Sequence, residues 1–328
     1  MAALAVLTVL CARLGPRRIG HELVTAGPGA LWLLIAYSLG TAVSALPWRL
    51  LLGEARRPAL LATIASRFAA SGANTLIPVL GVGGEPVRLL WLPRGDVAPG
   101  LAAIIVDRLL YAAASAIVLV AGAVAALRLA RLPSVYTTIA VAGAALLLVV
   151  SLAAIWLAAR HSLADRLQRL IGRLRRRAQV GGDELGERVD REIEAMLRRR
   201  GTIVVAVLIH VVGRALLGAE VYLGFVVLDV PLSVDEALAF ATIPVLLGFI
   251  GAVVPSQLGI QEATQAVVAA ALGIPAPAAV AVVVLQRIRQ LVTMGIAWVL
   301  IATHRRAGRR APADAASPGA PRGAVPPA

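Results

Sequence analysis

The sequence has no lysine, one cysteine and few aromatic residues, and the cysteine count excludes two kinds of site. A single cysteine, Cys11, permits neither an intramolecular disulfide nor a thiolate metal cage. The four histidines never occur in metal-binding HxxxH spacing, and no P-loop, GxSxG or HExxH motif is present. We therefore expect no metal, no cofactor and no enzymatic activity.

Charge is also scarce, while apolar residues are abundant. Only 15% of the residues are charged and 59% are hydrophobic, with a mean hydropathy of +0.84. Apolar runs of about 20 residues or more are long enough to cross a hydrocarbon core as helices. The sequence predicts an all-α polytopic membrane protein with about six to eight transmembrane helices. Unbroken spans are predicted at 31–52, 98–127, 135–159, 201–228 and 276–302.

The net charge of +14 comes from arginines that flank these apolar runs. Nucleic-acid binders carry basic faces on soluble folds, so this distribution argues against nucleic acid as a partner. The positive-inside rule places 49–57, the 160–200 loop and the C-terminus in the cytoplasm. We expect a multi-pass protein of the cell (inner or plasma) membrane.

The chain divides into four predicted regions. Residues 1–159 form a first membrane half and 201–303 a second. Between them, 160–200 has leucines at helical spacing and many arginines, which predicts a cytoplasmic, basic amphipathic hairpin on the membrane surface. This hairpin is either a simple connection or a regulatory, lipid-sensing element. Residues 304–328 are rich in proline and predicted to be a disordered cytoplasmic tail.

Two apolar segments, 60–92 and 237–272, are interrupted by glycine and proline. Pro78 precedes Glu85 by seven residues, and Pro255 precedes Glu262 by the same interval. Each segment leads into a span that carries an arginine, which is Arg108 in the first half and Arg287 in the second. The predicted topology relates the two units as inverted repeats with broken or re-entrant segments, a pattern that points to a transporter's site.

Ionisable residues inside the spans are the candidate functional groups, because each costs about 2.5–3.5 kcal/mol at mid-membrane. Glu85 and Arg88 are three residues apart and share a helical face. Asp107 and Arg108 are adjacent, so we expect them to point apart and to need other partners. Glu262, Arg287 and Arg289 form a second set. The span at 201–228 carries His210 and Arg214 on one face and Glu220 further along.

We predict that a polar cavity binds an anionic group, such as a lipid phosphate, through helix N-termini and arginines. The predicted binding residues are Asn74, Glu85, Arg88, Asp107, Arg108, Gln257, Gln261, Glu262 and Arg287. Two alternatives remain: ion pairs that only lock helices together, or proton or ion coupling through Glu85 and Glu262. For His210, a hydrogen bond to a neighbouring helix is the simpler interpretation.

The motifs resemble the transmembrane region of lysylphosphatidylglycerol synthases, a flippase-like family. Asn74, Pro78, Gly84, Glu85 and Arg88 match its first signature, and Asp107-Arg108 follows as an acid–arginine pair. The second signature is matched by Pro255, Gly259, Glu262 and Ala263, with Arg287 downstream. The chain departs from the family pattern at Ser256-Gln257 and at Tyr111.

This resemblance implies a stand-alone translocase of polar lipids, without the aminoacyl-transfer domain of fused relatives. Membrane lipids with anionic headgroups or phosphates would be its partners. One alternative is a non-transporting membrane scaffold or regulator of a lipid or glycan enzyme, docking through the 160–200 hairpin. Another is a membrane-embedded transferase, but the sequence shows no catalytic constellation for it.

Overall fold

The computed structural model describes residues 24, 26–76, 83–92, 97–160, 182–248 and 260–310. Within these ranges the regular structure is helical, with no strand. The ten α-helices of the described residues are α1 Ala30–Val43, α2 Leu46–Leu51, α3 Leu60–Leu76, α4 Val97–Arg128, α5 Ser134–Arg160, α6 Gly182–Arg198, α7 Arg200–Val227, α8 Val234–Gly248, α9 Ile260–Ala271 and α10 Ala276–Arg310.

Five stretches of these helices are long and apolar enough to cross a membrane. They are Gly27–Leu51, Val97–Arg128, Ser134–Ala158, Arg200–Val227 and Ala276–His304. Their outward faces carry exposed leucine, valine, isoleucine and tryptophan, as expected for side chains in contact with lipid. The prediction of an all-α, polytopic membrane protein is therefore confirmed.

The first broken segment folds as a helix followed by a reversal. After α3, a 3-10 helix at Glu85–Trp91 packs back on α3. The turn is fixed by Asn74, whose side-chain oxygen accepts a hydrogen bond from the Gly84 amide at 2.6 Å. A Cβ on Gly84 would overlap the backbone of Ala70, so only glycine allows this close return. Pro78 and Gly81 lie outside the described residues.

The second broken segment contributes α8 and α9, which pack against each other. α8 begins with a capping box: Glu236 accepts a hydrogen bond from the Ser233 amide at 2.8 Å, and the Ser233 hydroxyl accepts one from the Glu236 amide at 3.2 Å. Residues 249–259, with Pro255 and Gln257, lie outside the described residues.

Each half of the chain packs one of its long helices against the broken segment of the other half. α4 of the first half packs on α8 of the second, and α10 of the second packs on α3 of the first. Each contact is close because it is made at a glycine: Gly122 lies against Thr242, and Gly72 lies against Ala297. The order of elements agrees with the predicted repeat, whereas its inverted symmetry remains a prediction.

Two structural findings differ from the predicted regions. The apolar face of α6, with Val189, Ile193 and Met196, packs with residues of α2 and α4, including Trp48, and is therefore covered by protein. Residues 161–181, the other arm of the predicted hairpin, lie outside the described residues. α10 is helical to Arg310, so the predicted tail starts too early; 311–328 is not described.

Candidate functional site

A buried ion network links the first broken segment to α4. Arg88 Nη1 lies 3.1 Å from Glu85 Oε2 and 2.7 Å from Asp107 Oδ2. All three side chains are buried, and the Arg88 guanidinium also stacks on the Trp48 indole, 4.4 Å from the ring centroid. The expectation that Glu85 and Arg88 share one face is met, although the element is a 3-10 helix.

Arg108 joins the same network, which corrects the expectation that it points away from Asp107. Its Nη2 lies 2.9 Å from Asp107 Oδ2, and its Nη1 lies 3.3 Å from Glu85 Oε1. The Cα–Cβ bonds of adjacent helical residues diverge, but the long arginine side chain is able to turn its guanidinium back towards its neighbour. Sequence spacing alone therefore did not determine this pairing.

Arg67 of α3 is the network member that the sequence analysis missed. Its Nη1 lies 2.9 Å from Glu85 Oε1, and the residue is 9% exposed. The feature that could have identified it is its position as a lone arginine within the moderately apolar stretch of α3. Because Arg67 also lines the cavity described below, it connects the buried network to open space.

His210 of α7 completes the network from the other side. Its Nε2 lies 3.0 Å from Asp107 Oδ1, and the ring contacts Tyr111 edge-to-face. Both His210 and Asp107 are fully buried. His210 thus bonds to a neighbouring helix, as the simpler interpretation of the sequence predicted.

A polar cavity of about 400 Å³ lies beside the network; we call it the central cavity. Its polar lining comes from α1, α3, α4, α7, α9 and α10, close to the middle of the long helices. A smaller cavity of about 260 Å³ adjoins it. Both are lined by Tyr37, Ser71, Gln265, Gln286 and Arg289.

The central cavity has a cationic lining. Among the described residues, three arginines, Arg67, Arg214 and Arg289, line it against one carboxylate, Glu220. Arg289 Nε lies 2.7 Å from Glu220 Oε1, without the angle of a hydrogen bond, and its guanidinium stacks 3.8 Å from the Tyr37 ring centroid. The described part of the lining therefore carries an excess of positive charge.

Arg214 is the arginine of this cavity with the least compensation. Its Nη1 donates a hydrogen bond to the Tyr111 hydroxyl at 3.2 Å, and its buried Nε has no hydrogen-bond partner in the part of the chain described. No described carboxylate lies within ion-pair distance of Arg214. Because Arg214 lines the central cavity, its guanidinium is placed to donate hydrogen bonds to an anionic ligand there.

The predicted site residues fall into three groups. Glu85, Arg88, Asp107 and Arg108 are brought together with Asn74, but none of the five lines the central cavity. Arg287 lines the smaller cavity and donates to Gln290 Oε1 at 2.6 Å. Gln257 and the side chains of Gln261 and Glu262 lie outside the described residues.

The cavity itself was largely absent from the predicted site. Arg214, Glu220 and Arg289 stood out in the sequence as charges within spans, but their convergence was not predicted. Gln265 of α9 donates a hydrogen bond to Gln286 of α10 at 3.3 Å. The sequence contains one indication of these two residues, which is that they are polar within apolar helices. In the described ranges, no three His, Cys, Asp or Glu side chains cluster as metal ligands.

The comparisons with known proteins give one match. A family model described as the lysylphosphatidylglycerol synthase TM region matches residues 1–297, which include every described helix except the end of α10. No curated protein and no solved structure matches the chain significantly.

Proposed function

Because the chain belongs to the lysylphosphatidylglycerol synthase transmembrane-region family, we propose that it moves an anionic lipid between the leaflets of the membrane. The observation that carries this proposal is the charge of the central cavity. Among the described residues, three arginines line it (Arg67, Arg214 and Arg289), and Glu220 is the single acidic residue. A cationic cavity between membrane-spanning helices suits a phosphate-bearing headgroup.

The proposal accounts for the chemistry of the lining. Arginine binds phosphate oxygens through charge-assisted hydrogen bonds, and its planar fork adds geometric selectivity. Tyr37, Tyr111, Gln265 and Gln286 add further hydrogen-bonding groups for glycerol or amino substituents. A headgroup in this cavity would exchange its hydration shell for these groups, which lowers the barrier that a charge meets in hydrocarbon.

We propose transport without covalent chemistry. The described lining of the central cavity offers arginines, amides, hydroxyls and one carboxylate that is already paired with Arg289. Nucleophilic or acid–base transfer needs a nucleophile held beside a base, or a pair of catalytic groups at fixed separation. The described lining provides neither arrangement.

Among the described residues, the scaffold alternative has no comparable support. It relies on the 160–200 region as a docking surface, but the apolar face of α6 is packed against α2 and α4. A scaffold would also have no use for unpaired guanidinium donors inside the membrane-spanning bundle.

Leaflet exchange in proteoliposomes tests the proposal. Fluorescent phosphatidylglycerol and phosphatidylcholine would be compared in vesicles that hold wild type, Arg214→Gln or Arg128→Gln at matched reconstitution. Arg128 is the control because its side chain is 69% exposed at the end of α4, outside the cavity.

We expect wild type and Arg128→Gln to speed exchange of the anionic lipid more than that of the zwitterionic one. Loss of a hydrogen bond to a charged group costs about 1.5–3 kcal/mol. Exchange by Arg214→Gln should accordingly fall about ten- to a hundredfold. Wild-type vesicles that match empty liposomes with both lipids would refute the proposal.

A further inference from the structure

Glu220 is in an unusual position for a carboxylate. It lies within α7, is 4% exposed, and is the only acidic residue lining the central cavity among those described. The basic group that it contacts is Arg289, at 2.7 Å. Arg289 faces both cavities, so the group that neutralises Glu220 is also a group that the proposed headgroup would contact.

The other groups around Glu220 do not replace Arg289. Among the described residues, the other titratable groups of the lining are Tyr37 from α1, Arg67 from α3, Tyr111 from α4, and Arg214 from α7 itself. Arg67 is paired with Glu85, and Arg214 donates to Tyr111. α8 contributes only apolar residues to the lining, α9 contributes the neutral Gln265, and α10 adds the neutral Gln286 beside Arg289.

We propose that Glu220 is a proton-binding site that couples proton uptake to the binding of an anionic headgroup at Arg289. The inference rests on the proposed function and adds a coupling ion to it. When a phosphate oxygen binds the Arg289 guanidinium, the Glu220 carboxylate loses its paired cation. It then takes up one proton that reaches it from the bulk aqueous phase through water in the cavity, and becomes a neutral acid.

The driving force is the cost of an unpaired buried charge. A carboxylate without a cation in a low-dielectric site is strongly disfavoured and is neutralised by protonation. When the phosphate leaves, Arg289 pairs with Glu220 again and the proton is released. Binding and release of the headgroup would therefore each be linked to one proton.

Glu85 is not suited to this role, although its sequence position suggested it. Three arginines, Arg67, Arg88 and Arg108, lie within 2.9–3.3 Å of its carboxylate oxygens. Displacing any one of these arginines leaves Glu85 with two others. Among the described residues Glu220 has a single basic partner. That partner faces the cavity, so the charge of Glu220 depends on what the cavity holds.

The proposal has a consequence for transport. A lipid with one negative charge that moves together with one proton carries no net charge through the membrane. Exchange should therefore respond to a pH gradient and be insensitive to a membrane potential. An uncoupled anion would show the opposite behaviour, because the potential acts directly on its charge.

Two measurements test the coupling on the full-length protein. Isothermal titration of micellar protein with dihexanoyl phosphatidylglycerol, in two buffers of different ionisation enthalpy, gives the number of protons taken up per bound lipid. Proteoliposome exchange, measured with and without an imposed pH gradient and a valinomycin potential, gives the ratio of driven to undriven rates. Variants are Glu220→Gln and, as an exposed carboxylate control, Glu194→Gln.

Wild type and Glu194→Gln should take up about one proton per lipid, and Glu220→Gln none. Proton uptake that persists in Glu220→Gln, or wild type that binds lipid without proton uptake, would overturn the proposal. Wild type that exchanges lipid without responding to the pH gradient overturns the coupling and leaves the proposed function intact. Proton-linked binding without exchange overturns only the proposed function, and absence of binding overturns both.

Discussion

The guanidinium of Arg88 lies 2.7 Å from a carboxylate oxygen of Asp107, and neither side chain is exposed. This contact joins the 3-10 helix that follows the first chain reversal to α4. Since α4 also contacts α7 through the Asp107–His210 bond, one carboxylate holds three elements together. The pair therefore positions the first broken segment and does not itself face the cavity.

Arg88→Ala should destabilise the protein strongly. It leaves Asp107 and Glu85 with fewer cations in a buried site, and breaking such a pair costs about 3–5 kcal/mol. Thermal unfolding in detergent, followed by size-exclusion chromatography, measures the effect. Arg198→Ala is the matched control, since Arg198 pairs with Glu194 on an exposed face of α6. Equal stability of the two variants would refute a structural role for Arg88.

Gly122 should tolerate no side chain. A Cβ there would overlap Thr242 and approach the Leu238 carbonyl, so Gly122→Ala forces α4 and α8 apart. Overpacking of this kind costs about 1–3 kcal/mol. Gly295→Ala is the control, because the space around Gly295 is open, and it should be neutral or slightly stabilising. The test compares the melting temperatures of the two variants with that of wild type. A Gly122→Ala variant that melts at the wild-type temperature would contradict the close contact.

The sequence was a good guide where a single helix determines the result. The apolar runs identified the five membrane-spanning stretches within a few residues of their ends, since length and hydropathy are properties of each stretch alone. The Glu85–Arg88 pair was predicted for the same reason, as it depends only on a spacing of three residues. The prediction of the family is confirmed by the match over 1–297.

The sequence was a poor guide where distant helices converge. Arg67, Tyr111, Arg214 and Arg289 belong to four different helices, and no spacing along the chain relates them. Their meeting depends on how α3, α4, α7 and α10 pack, which follows from glycine contacts and side-chain shapes. The flexible side chain of Arg108 likewise reached a partner that its backbone direction did not suggest.

The docking of α6 should depend on its buried face alone. Ile193 is 2% exposed and packs in the cluster that contains Trp48. Ile193→Ala should cost about 2–5 kcal/mol of this packing and expose the 182–199 region to limited proteolysis. Leu185→Ala removes a side chain that is 41% exposed in the same helix and should leave the cleavage rate unchanged. Equal rates would mean that α6 is not held by this face.

A double-mutant cycle on Arg67 and Glu85 separates the two roles that the sequence left open, a lock between helices and a ligand site. Arg67 pairs with Glu85 and also lines the central cavity, so Arg67→Gln should reduce both stability and anionic lipid exchange.

If the pair only locks helices, exchange should follow stability in Arg67→Gln, in Glu85→Gln and in the double variant. The double variant should not regain wild-type stability, because Glu85→Gln also removes the carboxylate that Arg88 and Arg108 contact. We expect a coupling energy in stability of about 0.5–3 kcal/mol, as for residues in contact. Lipid exchange should stay low in the double variant, because the cavity still lacks the guanidinium of Arg67. Full recovery of exchange would show that Arg67 acts only by holding α3 to the 3-10 helix, and would leave the headgroup to Arg214 and Arg289.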